Sequence, residues 1–178
     1  VNFRKIDFQL KCLTLDNGDN GDNGDTIKYN SLLTTIPLPT LAPLLSPTQD
    51  TLIQNASQLL YSTGHIIVIG VKWPLPEHLH KKCWIYFSED QTPCYRVTIF
   101  SNYSPHHVPH HSMEYSLLCE VSSSKYKTVQ SNTLMDEVIT GLINTTLLRP
   151  DAEILSKWYF KANYSYPIPS LERDLLLK

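Results

Sequence analysis

The sequence predicts an α+β fold: a mostly antiparallel β-sheet with helices packed on one side. Three observations predict it. Short apolar runs of strand composition succeed one another across turn-rich links and do not alternate regularly with helices. Residues 65–71, His-Ile-Ile-Val-Ile-Gly-Val, form a β-branched run of the kind found in strands buried on both faces. Two separate segments carry apolar residues at helical spacing. A chain of 178 residues with 42% hydrophobic content can bury one sizeable core, and its length favours a single domain.

In chain order, residues 7–15 and 26–33 read as two strands of a hairpin. Between them the repeated Asp-Asn-Gly of residues 16–25 favours turns and gives an extended, low-complexity tip. Its spaced aspartates lack the alternate ligands and closing Glu of an EF-hand loop, so calcium is not expected. Residues 35–39, Thr-Ile-Pro-Leu-Pro, break regular structure. Ser46-Pro47 then resembles an N-cap with Pro at the first helical position, which predicts a helix to about Tyr61 with Leu52, Ile53, Leu59 and Leu60 as its apolar residues.

The run at 65–71 is expected as a central strand. Further strands are expected at 83–87, 95–101 and 113–121, followed by a helix from an N-cap near Ser131 to Leu148. In that helix Leu134, Val138, Ile139, Leu142 and Ile143 recur at helical spacing, and Pro150 marks the stop. A last strand is expected at 157–164, leading into Tyr166-Pro167-Ile168-Pro169.

Composition excludes several classes of function. A formal net charge of −2 does not supply the basic surface that gripping nucleic acid requires. No apolar run reaches the roughly 18 to 20 residues of a membrane span. The first ten residues alternate polar and apolar, unlike a secretory signal, and the expected address is cytoplasmic. Cys12, Cys83, Cys94 and Cys119 form no CxxC pair and are expected as thiols, not as a zinc site. Six glycines, three of them in the Asp-Asn-Gly run, leave no GxGxxG and no P-loop. The loop at 105–112 carries His106, His107, His110 and His111 between prolines, without a Cys or carboxylate to complete a tetrahedral set, and is expected to be solvated and metal-free.

The densest group of binding side chains is Cys83-Trp84-Ile85-Tyr86-Phe87 followed by Tyr95-Arg96-Val97-Thr98-Ile99-Phe100. By the two-residue period of strands, Trp84 and Tyr86 share one face, and Arg96 shares its face with Thr98 and Phe100. If these faces coincide, an arginine stands beside two aromatics with polar handles. A planar guanidinium grips phosphate oxygens in pairs, a Tyr hydroxyl donates to the same oxygens, and an indole packs on a sugar face, a set that suits a diphosphate sugar. The plainer alternative is a half-buried strand pair in which Arg96 reaches solvent or meets Glu89 or Asp90.

These stretches, with Leu60-Tyr61-Ser62-Thr63-Gly64-His65, the continuation Ser101-Asn102-Tyr103-Ser104-Pro105, and Tyr166-Pro167-Ile168-Pro169-Ser170-Leu171-Glu172-Arg173, are similar in order and approximate spacing to eukaryotic-type UDP-galactopyranose mutase, a flavoprotein of the amine-oxidase-like superfamily. The resemblance runs from about the first hairpin to the C-terminus. It implies an isomerase that interconverts UDP-galactopyranose and UDP-galactofuranose, with reduced FAD as the nucleophile through its N5. It further implies that Arg96 clamps the diphosphate, that Tyr86 and Tyr166 hydrogen-bond it, and that Trp84 lies near the sugar. The family's glycine-rich FAD motif and C-terminal flavin segment have no counterpart in these residues, so the chain reads as a partial mutase that by itself is inactive and binds FAD weakly. Its partners would be the UDP-sugar and the missing FAD-binding segments. The alternative reading is a non-catalytic UDP-sugar-binding or structural remnant of that family.

Overall fold

The computed structural model describes residues 3–16 and 24–178. The chain divides into two compact units, Val1–Leu60 with Pro167–Lys178, and Tyr61–Tyr166. The fold is α+β, with a four-stranded and a five-stranded sheet.

In the first unit β1 (Phe3–Asp7), β2 (Cys12–Leu15) and β3 (Thr26–Lys28) form an antiparallel ladder. The strand expected over 7–15 is therefore a turn and a second strand. Its alternation hides a turn in which the Asp7 Oδ1 accepts the Leu10 amide at 2.8 Å and Lys11 takes a positive φ of 52°. Most of the expected Asp-Asn-Gly tip, residues 17–23, lies outside the described residues. After α1 (Leu38–Leu41) and a 3-10 turn, β4 (Leu45–Ser46) pairs parallel to β1. Ser46 is thereby a strand residue and not a helix cap, and the Ser46–Pro47 peptide is cis. The helix α2 begins at Asp50, after the N-cap Gln49, and ends at Gln58.

The second unit is the sheet β6-β7-β8-β5-β9 with one long helix. Its strands are β5 (Tyr61–Lys72), β6 (Trp84–Tyr86), β7 (Arg96–Ile99), β8 (Tyr115–Ser123) and β9 (Glu153–Pro167). β5 and β8 pair antiparallel from Thr63↔Ser123 to Val71↔Tyr115. β9 returns along β5, with Ser156 against Gly70 and Ser165 against Gly64, where a Cβ on either glycine would meet a serine Oγ at 2.5 or 2.7 Å. The helix α3 (Leu134–Asn144) is shorter than the periodicity predicts, its first turn starting after Thr133.

Two-residue alternation sorts the sheet into unlike faces. Ile67, Ile69 and Val71 of β5, Val97 and Ile99 of β7, and Leu117, Cys119 and Val121 of β8 are buried in one core with Leu134, Val138 and Leu142 of α3. Ile66, Val68 and Gly70 alternate with them and are only half-buried, so the β5 run is fully buried on one face and not on both. That second face carries the polar groups described next.

Candidate functional site

The register of three antiparallel strands builds the site. Tyr86 lies opposite Arg96, and Arg96 opposite Glu120, giving one row across β6, β7 and β8 that Ile66 of β5 continues. The next row is Trp84, Thr98, Leu118 and Val68. Alternation alone left open whether the Trp84–Tyr86 and Arg96–Thr98 faces coincide; the pairing makes them coincide.

These rows floor a cavity of ≈ 450 Å³, lined by Ile66, Trp84, Tyr86, Arg96, Thr98, Phe100, Tyr103, Leu118 and Glu120. Phe100 begins a 3-10 turn, Phe100–Asn102, that bends the chain up from the sheet. This turn brings Tyr103 edge-on to both Trp84 and Phe100, at centroid distances of 6.4 and 6.2 Å. Asn102 Nδ2 secures the bend by donating to the carbonyls of Leu79 at 3.0 Å and Lys82 at 2.8 Å. The cavity therefore has an aromatic wall at one end and a polar cluster at the other.

The polar cluster centres on Arg96. Its Nε and Nη2 both donate to the Glu120 carboxylate, the latter at 2.7 Å to Oε1, while Nη1 donates to the Tyr86 hydroxyl at 3.3 Å. The Tyr95 hydroxyl donates to the same Oε1 at 3.1 Å. The rings of Tyr86 and Tyr95 lie 5.8 and 5.9 Å from the guanidinium carbon, within cation–π range. Arg96 is held more firmly protonated than a free arginine by Glu120 first and Tyr86 second. Burial, and then the Glu120 charge, push the Tyr95 phenol well above its ordinary range, so it stays a donor.

Arg96 therefore meets neither Glu89 nor Asp90, the acidic partners that the plain sequence alternative offers. Glu120 takes that place because register sets it directly across the strand pair, whereas Glu89 folds back onto its own Ser88 amide at 3.2 Å. Sequence reasoning missed Glu120 and, though it quoted the stretches that contain them, gave Tyr95 and Tyr103 no role in the site. The available signal was the single charge within the apolar run of β8, where a carboxylate 7% exposed demands a partner.

Tyr166 stands apart from the other three. It is the last residue but one of β9, is about half exposed, does not line the cavity, and accepts at its backbone carbonyl from Ser62 Oγ at 3.4 Å. Its phenol is nonetheless near enough to Tyr95 to raise that group's pKa. Of the histidine loop, His107 stacks on Phe100 at a centroid distance of 4.0 Å and bonds the Phe100 carbonyl through Nδ1 at 2.8 Å. Among the described residues no three His, Cys, Asp or Glu side chains converge as a metal site. No described helix is long and apolar enough to cross a membrane.

The described glycines do not fit a dinucleotide cradle. Gly24 lies in the loop that leads into β3, Gly64 and Gly70 lie inside a strand and Gly141 inside a helix, so none opens a helix N-terminus behind a strand, as a pyrophosphate of FAD requires.

No family model matches the chain. Among solved structures it is similar to a reduced UDP-galactopyranose mutase, at 37% identity and a TM-score of 0.81, over 99% of this chain and 36% of that one. A Pyrococcus furiosus protein matches at 8% identity and a TM-score of 0.62, over 94% of this chain and 38% of that one. A CLA-producing fatty acid isomerase from P. acnes matches at 12% identity and a TM-score of 0.54, over 94% and 35%. The latter two likenesses are of fold alone. The chain spans a little over a third of each of these three structures, and it is similar in sequence as well as in fold to the UDP-galactopyranose mutase.

Proposed function

We propose that the chain is part of a UDP-galactopyranose mutase of eukaryotic type, and that the sheet face bearing Arg96, Tyr86 and Trp84 contacts the diphosphate and sugar of UDP-galactopyranose and UDP-galactofuranose. The observation that carries this reading is the aimed pair at the cavity: the Arg96 guanidinium bonded to the Tyr86 hydroxyl, with Trp84 one row away, in a chain 37% identical to a reduced UDP-galactopyranose mutase. Arg96 and Tyr86 donate to phosphate oxygens, and Trp84 with Tyr103 walls the sugar. Tyr166 brings a second phenol from β9. Fixed donors of this kind stabilise the charge that collects on a departing UDP better than mobile water does.

Reduced FAD supplies the sugar-ring chemistry in that family and would be bound by segments other than the residues described here. The contribution of this sheet is binding and orientation, and the isolated chain is expected to be catalytically silent.

Titration of the 178-residue chain with UDP, by calorimetry and melting, tests the reading. UDP at 100 times its dissociation constant should stabilise the fold by about 2.7 kcal/mol. Arg96→Ala should weaken binding by about 10- to 100-fold, as expected for loss of a charge-assisted bond, and Tyr86→Phe by less. A folded chain that shows no heat and no melting shift at saturating UDP would refute it.

A further inference from the structure

Diphosphate binding leaves one buried charge without a task. Glu120 is 7% exposed, and its carboxylate spends both oxygens on the neighbours of the cavity: one on Arg96 Nε, the other on Arg96 Nη2 at 2.7 Å and the Tyr95 hydroxyl at 3.1 Å. A guanidinium has five N–H groups in a rigid fork, so this double contact fixes its plane as well as its place. The free edge is then Nη1, already turned to the Tyr86 hydroxyl at 3.3 Å, together with the second hydrogen of Nη2. With the Tyr86 and Tyr95 rings 5.8 and 5.9 Å from its carbon, Arg96 is aimed before any ligand arrives.

We infer that Glu120 is a positioning residue for Arg96, fixing which guanidinium edge a diphosphate can reach. The inference rests on the proposed UDP-sugar reading and adds to it how affinity is obtained. Arg96 and Glu120 together carry no net charge, so the cavity holds phosphate by oriented N–H groups and not by an excess of positive charge. Removing Glu120 then has two opposite consequences. The arginine gains net charge, which favours an anion, but it loses its aim and regains the rotamer freedom that binding must freeze again. Aim dominates, because the gained charge is exposed enough to be screened, whereas the lost geometry is not recovered by salt.

The test is a double-mutant cycle on UDP affinity in the 178-residue chain, read by calorimetry. Glu120→Gln should weaken UDP binding by about tenfold when Arg96 is present, and by more in 1 M salt than at physiological strength. In the Arg96→Ala background the sign should reverse: a carboxylate left unpaired beside the phosphates repels them, so adding Glu120→Gln strengthens binding. A residue that merely supports the fold would weaken binding in both backgrounds. A second readout needs no substitution and no UDP: the Arg96 Nε–H should give a discrete, exchange-protected nitrogen–proton NMR signal in the free chain. Unchanged or tighter binding by Glu120→Gln, or an Nε–H that exchanges like that of free arginine, overturns the role of Glu120 while leaving the diphosphate reading in place. A wild-type chain that ignores UDP yet keeps the protected Nε–H overturns the reading itself, and with it the role.

Discussion

Two regions of one chain solve the burial problem differently. In Tyr61–Tyr166, long strands and α3 bury a continuous core that includes Ile67, Ile69, Leu117, Val121, Val138 and Leu142 at 0% exposure. In Val1–Leu60 with Pro167–Lys178, the described apolar side chains that reach full burial are Ile6, Ala42 and Ala56, while Leu33 and Leu171 stand 95% and 98% exposed. Strand length explains the contrast: β5 and β8 pair over nine positions, β2 and β3 over three. Long pairing lets a two-residue alternation place a whole row of side chains on one face, and only a row makes a core.

The comparison can be broken most sharply in the core. All three tryptophans, Trp73, Trp84 and Trp158, lie in Tyr61–Tyr166, so tryptophan fluorescence in a urea titration reports that unit alone. Leu117→Ala should cost about 3 to 4 kcal/mol, because a fully buried leucine leaves a cavity that paired strands cannot close. Leu33→Ala, followed by far-UV circular dichroism because Leu33 lies outside the unit that the tryptophans report, should change the chain's stability by no more than about 0.5 kcal/mol, as at other exposed positions. Equal losses at the two sites would mean that the exposed leucine is packed and the contrast false.

A smaller effect sharpens it. Tyr115 is buried at 1% exposure and donates its hydroxyl to the Leu147 carbonyl at 3.1 Å, tying β8 to the end of α3; burial pushes its phenol up to about 12. Tyr115→Phe keeps the ring and strands one carbonyl, which should cost about 1 to 2 kcal/mol by the same fluorescence assay. No loss would show that Leu147 finds another donor.

The parts legible in the sequence were those set by local pattern. The two-residue period put Trp84 with Tyr86 and Arg96 with Thr98, and the helical period found α3, because both follow from neighbours a few residues apart. What local pattern could not carry was register. Glu120 is 24 residues from Arg96, and nothing near either names the other until β7 and β8 are paired. The β1–β2 turn failed for a different reason: Phe8 and Leu10 continue an apolar alternation through it, and the Asp7 side chain that closes it is invisible to a hydropathy pattern. Ser46-Pro47 was misread because a cap motif is equally a strand end.

The smallest effect concerns acid, and again separates the units, since all seven histidines lie in Tyr61–Tyr166. Six of them belong to the segments of residues 78–80 and 106–111; the seventh, His65, is 2% exposed and holds the Tyr159 hydroxyl at 2.9 Å through Nδ1 and Ser123 Oγ at 2.8 Å through Nε2. Burial, and then the nearby Lys161 charge, lower its pKa in the folded chain. The unfolded chain therefore takes up this proton first, near pH 6.5, while the folded chain stays neutral there. Stability supplied by the neutral ring is present above about pH 6.5 and is lost as pH falls from there towards the lowered folded value. Melting followed by tryptophan fluorescence should decline between pH 7.5 and 5.5 in the wild-type chain and stay flatter in His65→Gln, which keeps a donor and an acceptor but cannot charge. An identical decline in the variant would assign the acid sensitivity to other groups, because a ring held between two hydroxyls can lose its stabilising role only by taking a proton that neither hydroxyl can offset.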